Sequence, residues 1–104
     1  MIQYTTQESK EIFIIRDAGL CRLSIYNQTP NVAFLSTLIV DENNRNTGVG
    51  NQLLLLAEEV SKTNNCDTIT LYVEPNSWMQ KWYERKGFYV VCFDENMIIM
   101  SKRI

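Results

Sequence analysis

The first forty residues follow the period of extended chain. Ile12 to Arg16 is a β-branched and aromatic run, and Asp17-Ala18-Gly19 supplies a turn. Leu20 to Asn27 then alternates, with Leu23 and Ile25 on one face and Arg22, Ser24 and Tyr26 on the other. Gln28-Thr29-Pro30-Asn31 is a second turn. Val32 to Val40 is a third strand, apolar enough to predict burial on both faces. Residues Ile2 to Thr5 can add a short edge strand ahead of these.

The period then changes. After the polar stretch Asp41 to Thr47, apolar residues fall at Val49, Leu53, Leu56, Ala57 and Val60, which predicts a helix over 49–62. Asn64-Asn65 suits its stop, because Asn tolerates the left-handed conformation. Thr68 to Val73 reads as a strand with Ile69, Leu71 and Val73 on one face, broken by Pro75 and Asn76. Ser77 to Lys86 reads as a second helix, with Ser77 or Asn76 able to cap it and Gly87-Phe88 forming a Schellman-type stop. Tyr89 to Phe93 and Met97 to Met100 are strands around the turn Asp94-Glu95-Asn96. The expected class is α/β (α+β): a mixed, mostly antiparallel twisted sheet around a central β-α-β-α-β unit. The strand–helix–strand step at its centre should be a right-handed parallel crossover.

Composition narrows the function. The 104 residues predict a single domain over 1–104. No apolar run reaches the length of a membrane span, and the N-terminus has neither a basic nor an apolar signal region. Net charge is −2, which disfavours nucleic acid and anionic lipid as partners. The chain has no histidine, so triads, histidine-ligated metals and imidazole proton shuttles are excluded within it. Three widely spaced cysteines, Cys21, Cys66 and Cys92, give neither a disulfide framework nor a metal-binding C-x-x-C pair. They are expected to be buried small hydrophobes in a reducing cytoplasm.

The chemistry concentrates in Val40-Asp41-Glu42-Asn43-Asn44-Arg45-Asn46-Thr47-Gly48-Val49-Gly50, which joins a strand to the N-terminus of the longer helix. A helix N-terminus offers unpaired N–H groups and the positive end of the dipole. Gly48 and Gly50 let backbone approach a ligand, and Arg45 adds a fixed positive charge, a combination suited to a pyrophosphate. No Gly-Lys-Ser/Thr follows, and no third glycine completes a dinucleotide fingerprint.

Arg45-x-x-Gly48-x-Gly50 resembles the R/Q-x-x-G-x-G/A phosphate loop of the GNAT superfamily of acyl-CoA-dependent N-acetyltransferases, and Leu38-Ile39-Val40-Asp41 resembles the strand end that leads into it. A second block, Asn76 to Phe88, is similar to that family's "N…A…fYek.GF" segment, with Asn76, Tyr83, Gly87 and Phe88 in register. The resemblance covers residues 32–94. It implies acetyl-CoA as cosubstrate, with the backbone from Asn46, Thr47, Gly48, Val49 and Gly50, helped by Arg45, holding its pyrophosphate. It further implies that the edge at Leu38, Ile39 and Val40 pairs with the pantetheine amides, that Thr68 to Val73 splays away to admit them, and that Asn76 bonds the pantetheine. Tyr83 would stand near the thioester sulfur as the acid that protonates the leaving thiolate. Packing within the stripe Trp78, Met79, Trp82 and Tyr83 is the competing role for that tyrosine.

Two departures from the family pattern bear on function. The strand before the phosphate loop carries no carboxylate to serve as base, which leaves Glu74, a water chain, or an acceptor that arrives neutral. The first 31 residues also leave no room for the two helices that shape the family's acceptor site. The acceptor groove is therefore expected to be open, suited to an amine on a protein such as a lysine or N-terminus, or completed by a second copy in a homodimer. The alternative function is a reduced module that binds acetyl-CoA or a protein partner without turnover.

Overall fold

The runs of alternating residues fold as strands and the runs of helical period as helices. The computed structural model describes residues 1–104. In chain order the elements are β1 (Ile2–Thr5), β2 (Ser9–Arg16), β3 (Gly19–Tyr26), β4 (Val32–Val40), α1 (Val49–Thr63), β5 (Thr68–Val73), α2 (Trp78–Arg85), β6 (Tyr89–Asp94) and β7 (Met97–Arg103). All seven strands form one sheet in the order β1-β2-β3-β4-β5-β7-β6. Every neighbouring pair is antiparallel except β4 and β5, the pair joined through α1. The short edge strand at Ile2–Thr5 is present, and β1 turns into β2 through residues 6–8 with no helix between them. Thr6 makes that turn tight, since its hydroxyl accepts from the Glu8 and Ser9 amides at 3.2 and 3.0 Å.

Both helices pack on one face of the sheet. Leu53, Leu54 and Ala57 of α1 and Tyr83 of α2 share a single core with Ile12, Leu23, Ile69 and Met100. Ser77 caps α2 by accepting from the Gln80 amide at 3.2 Å. Its other end is a complete Schellman stop: Gly87 takes φ +96°, its N–H donates to the Glu84 carbonyl, and the Phe88 N–H reaches back to the Tyr83 carbonyl at 3.1 Å. Phe88 then folds over Tyr83, ring centroids 5.2 Å apart and steeply inclined.

Three expectations are corrected. β2 begins at Ser9 rather than Ile12, because Ser9, Lys10 and Glu11 pair with Tyr26, Ile25 and Ser24 although they lack strand-forming side chains. β4 is not buried on both faces: only Ala33 and Leu35 are sealed, and Ile39 is 57% exposed. The reason is that no second layer covers the face opposite the helices, so Val32 and Phe34 are only half-buried even where β4 pairs with β5. Cys21 and Cys66 are buried, whereas Cys92 is exposed, because it lies on the edge strand β6.

Candidate active site

Beyond Phe34 and Thr70, β4 and β5 diverge, and a cleft of about 350 Å³ opens between them. Leu35 to Leu38 form one wall, Leu71 to Glu74 the other, and Trp78, Met79 and Tyr83 of α2 close the inner side. The splay implied by the family resemblance is therefore present. Beyond the residues read from sequence, the cleft also takes Tyr72 and Met97. Tyr72 is half exposed and Trp78 is 70% exposed, and no local sequence signal marks Tyr72 or Met97 as cleft residues.

The loop that enters α1 is a nest of free donors. Residues Glu42–Asn44 form a single 3-10 turn, and the Thr47 hydroxyl donates to the Asn44 carbonyl. Asn46 and Gly48 both take positive φ, +64° and +90°. Gly48 is the N-cap of α1 and has no side chain to cap it. The first bond to close is from the Gln52 amide to the Gly48 carbonyl at 3.0 Å, so the amides from Asn46 to Asn51 have no partner within the protein. A Cβ built on Gly48 would meet nothing within 4 Å. The approach to these donors is open. Gly50 differs: a Cβ there would touch Trp82 Cζ2 and Val40 Cγ2 at 3.7 Å and Leu38 Cδ2 at 3.9 Å. Gly50 therefore ties the loop to Leu38 and so to the cleft. The Arg45 Nε lies 3.5 Å from the Val40 carbonyl, which places the exposed guanidinium beside the end of β4.

Tyr83 is only 4% exposed, edge-on to both Trp82 and Phe88. No buried polar side-chain atom lacks a partner. The Tyr83 hydroxyl makes no bond within the protein, so it opens into the cleft rather than into the sealed core. Burial, with the Cys21 thiol adding a smaller push, raises its pKa far above the ordinary phenol value, and the hydroxyl stays protonated. Ile39 faces away from the cleft, paired with Leu20. Asn76 stands just past the cleft wall in a left-handed conformation, held by its amide donating to Gln80 Oε1 at 2.6 Å. Glu74 is exposed on the cleft rim, and its carbonyl accepts from the Ser77 hydroxyl.

A protein-family model described as the acetyltransferase (GNAT) family matches residues 3–88. The PaiA N-acetyltransferase from Thermoplasma acidophilum, solved with coenzyme A, superimposes with a TM-score of 0.79 at 29% identity, over 90% of this chain and 61% of that one. Nourseothricin acetyltransferase gives 0.78 at 21% identity, over 93% and 66%. A GNAT family acetyltransferase from Elizabethkingia anophelis, solved with acetyl-CoA, gives 0.73 at 16% identity, over 93% and 77%. The chain thus spans less than two thirds of the length of the first two. A search of curated protein sequences gives no match.

Proposed function

The chain belongs to the GNAT acetyltransferase family, and from that premise we propose that it transfers an acetyl group from acetyl-CoA to an amine. The observation that carries this is the divergence of β4 from β5 beside an uncapped helix N-terminus. The cofactor's pyrophosphate sits on the free amides from Asn46 to Gly50, with Arg45 neutralising one charge. Pantetheine behaves as a short extended peptide and adds to the unpaired edge of β4 at Leu38 to Val40, with Asn76 on its far side.

The acceptor's neutral amine attacks the thioester carbonyl carbon. A backbone N–H at the end of β4 polarises that carbonyl and holds the developing oxyanion. The C–S bond then breaks, and the thiolate takes the proton of the Tyr83 hydroxyl, which is protonated at neutral pH; the proton released by the amine then restores Tyr83 through water. Glu74 is the only charged side chain on the cleft and is positioned to take the amine's surplus proton through water. The acceptor is an amine on a macromolecule, such as a lysine or N-terminus, because the cleft mouth carries exposed Trp78, Tyr72 and Glu74 with no helix above them. A second copy of the chain is the other group able to complete that mouth. The free cysteines suit a reducing cytoplasm.

Calorimetric titration with CoA and acetyl-CoA, followed by thiol release in the presence of lysine peptides, tests this. Micromolar binding with amine-dependent thiol release is expected. Binding without turnover on any amine would leave a carrier of acetyl-CoA in place of an enzyme. No binding to either cofactor would remove the proposal.

A further inference from the structure

We propose that Trp82 is a positioning residue that ties the Tyr83 hydroxyl to the phosphate loop, so that the loop, once it holds CoA, sets the acid in place. This rests on the acetyl-transfer reading and adds to it a link between cofactor binding and protonation of the leaving thiolate.

Trp82 is not among the residues that line the cleft, so it touches neither the thioester nor the acceptor. Its contacts run elsewhere. On one side it stands over the bare face of Gly50, where a Cβ would meet the indole Cζ2 at 3.7 Å. Gly50 lies in the first turn of α1, among the free amides assigned to the pyrophosphate. Val40 and Leu38, from the end of β4, converge on the same point. On its other side the indole meets the Tyr83 ring edge-on, with centroids 5.0 Å apart and planes inclined by 79°. One rigid side chain therefore spans the distance from the loop backbone to the acid.

Tyr83 needs such a support, because its hydroxyl has no partner within the protein to aim it. Its ring is held by packing, with Phe88 on one edge and Trp82 on another. Phe88 is fixed by the helix stop and has no contact with the loop through which it could respond to the cofactor. Trp82 is the clamp that reaches the loop. Lys86, one turn further along the chain, steadies the indole with its Nζ 5.4 Å from the ring centroid. Functional groups act well only when neighbouring side chains lock their rotamers, and a displacement of about 1 Å can cost about 10²-fold in rate. Leucine would fill part of the space between α1 and α2 but present no flat edge to Gly50 or to Tyr83.

The test is a double-mutant cycle between Trp82 and Tyr83 on the full chain, read by thiol release and by calorimetry with CoA. Trp82→Leu should lower kcat about 30-fold while CoA affinity stays within about threefold, the split expected when a reacting group is displaced and the binding groups are not. Trp82→Phe keeps an aromatic edge on Tyr83 and should recover kcat to within about threefold of native. Beside Tyr83→Phe, Trp82→Leu should change kcat by less than about twofold, because the proton it positions is gone. Should Trp82→Leu fold poorly, the same cycle is run with Trp82→Phe. A second readout needs no turnover: Trp78→Phe leaves Trp82 as the sole tryptophan, and its emission should change on adding CoA with the dissociation constant found by calorimetry. Adding Gly48→Glu should remove that change. A Trp82 that only packs α2 would cost turnover equally with and without the Tyr83 hydroxyl, and that result overturns the proposal. So does an emission that CoA leaves unchanged at saturation. No thiol release by the native chain removes the acetyl-transfer reading and this proposal with it, whereas native release with additive losses removes this proposal alone.

Discussion

Replacing Tyr83 by Phe separates chemistry from packing better than any other change in the cleft. The ring contributes the packing: it is 4% exposed, with ring centroids 5.0 Å from Trp82 and 5.2 Å from Phe88. Phe keeps that ring and loses only a hydroxyl that has no partner within the protein. The stability change should therefore stay within about 0.5 kcal/mol. Truncation to Ala would instead cost about 3–5 kcal/mol by emptying the core. If the hydroxyl protonates the leaving thiolate, kcat should fall by about 10²–10⁴-fold, the usual worth of a general acid. CoA affinity should hold, since on the proposed binding mode the pyrophosphate rests on the Asn46–Gly50 amides, which are not part of the cleft lining around Tyr83. The assays are thiol release for turnover, calorimetry with CoA for binding and thermal melting for stability. A raised phenol pKa also means that Tyr83 stays protonated through neutral and mildly alkaline pH, so it should add no alkaline limb to the rate profile there. In linkage terms the unfolded phenol ionises first, so this residue costs stability only as pH rises past the ordinary phenol value of about 10. Equal loss of turnover and CoA binding, with a lower melting point, would return Tyr83 to the core and refute the acid role.

Gly48→Glu should abolish CoA binding by placing a carboxylate among the free amides, and unchanged affinity by calorimetry would reduce the loop to a turn. Gly50→Ala should keep CoA affinity and raise stability by about 0.5 kcal/mol, because the added Cβ finds ordinary contacts at 3.7 Å; a lost affinity would contradict that geometry. Glu11→Ala should cost about 2–4 kcal/mol in chemical denaturation, as it strips Ser9, Ser24 and Arg22 of their shared acceptor. Burial opposes ionisation of Glu11, yet those hydrogen bonds and the Arg22 charge hold its pKa below 4.5. Its contribution is therefore complete above the unfolded pKa and fades as pH falls through the lower folded one, so the acid melting transition of the variant should be shallower than that of the native chain. Cys92 should react with thiol reagents in the native state, while Cys21, whose pKa burial pushes up to about 11, and Cys66 should react only on unfolding, as followed by mass spectrometry.

Period and punctuation carried most of the fold into view. The Schellman stop at Gly87-Phe88 and the cap at Ser77 are local chemistry, readable wherever they occur. The start of β2 was not legible, because Ser9, Lys10 and Glu11 are recruited by pairing with β3 rather than by their own preference. The apolar run of β4 reads as doubly buried, yet apolar residues also line a cleft, and only the loss of pairing after Phe34 tells the two apart. Cys92 failed for a similar reason: burial depends on rank within the sheet, and nothing local to Val91-Cys92-Phe93 marks β6 as the edge. In the site, the glycine loop and Tyr83 were visible as motif residues. Tyr72 and Met97 were not, since each enters the cleft only through the three-dimensional position of its strand.

The face of the sheet opposite the helices has to be stable without a second layer, and its residues show how. Glu11 is 4% exposed, yet a lone buried carboxylate would be untenable. Ser9 and Ser24 donate to it at 2.6 Å, and Arg22 donates from Nε at 3.1 Å and Nη2 at 2.8 Å. Arg22 in turn lies over the Phe13 ring at 5.2 Å, and Tyr4 stacks on that ring from β1. Tyr26 meets Phe34 edge-on, and Thr70 shares a 2.8 Å bond with Ser101 across β5 and β7. Long side chains thus lie flat over the strands and exclude water from the polar groups beneath, a role that a covering helix would otherwise fill. A helix is not needed to hold this face together, so none has to stand over the end of β4. On the proposed function, the divergence of β4 from β5 would admit a pantetheine arm, and the absence of a helix over it would open the site to a bulky amine in place of the enclosed pocket that selects a small one.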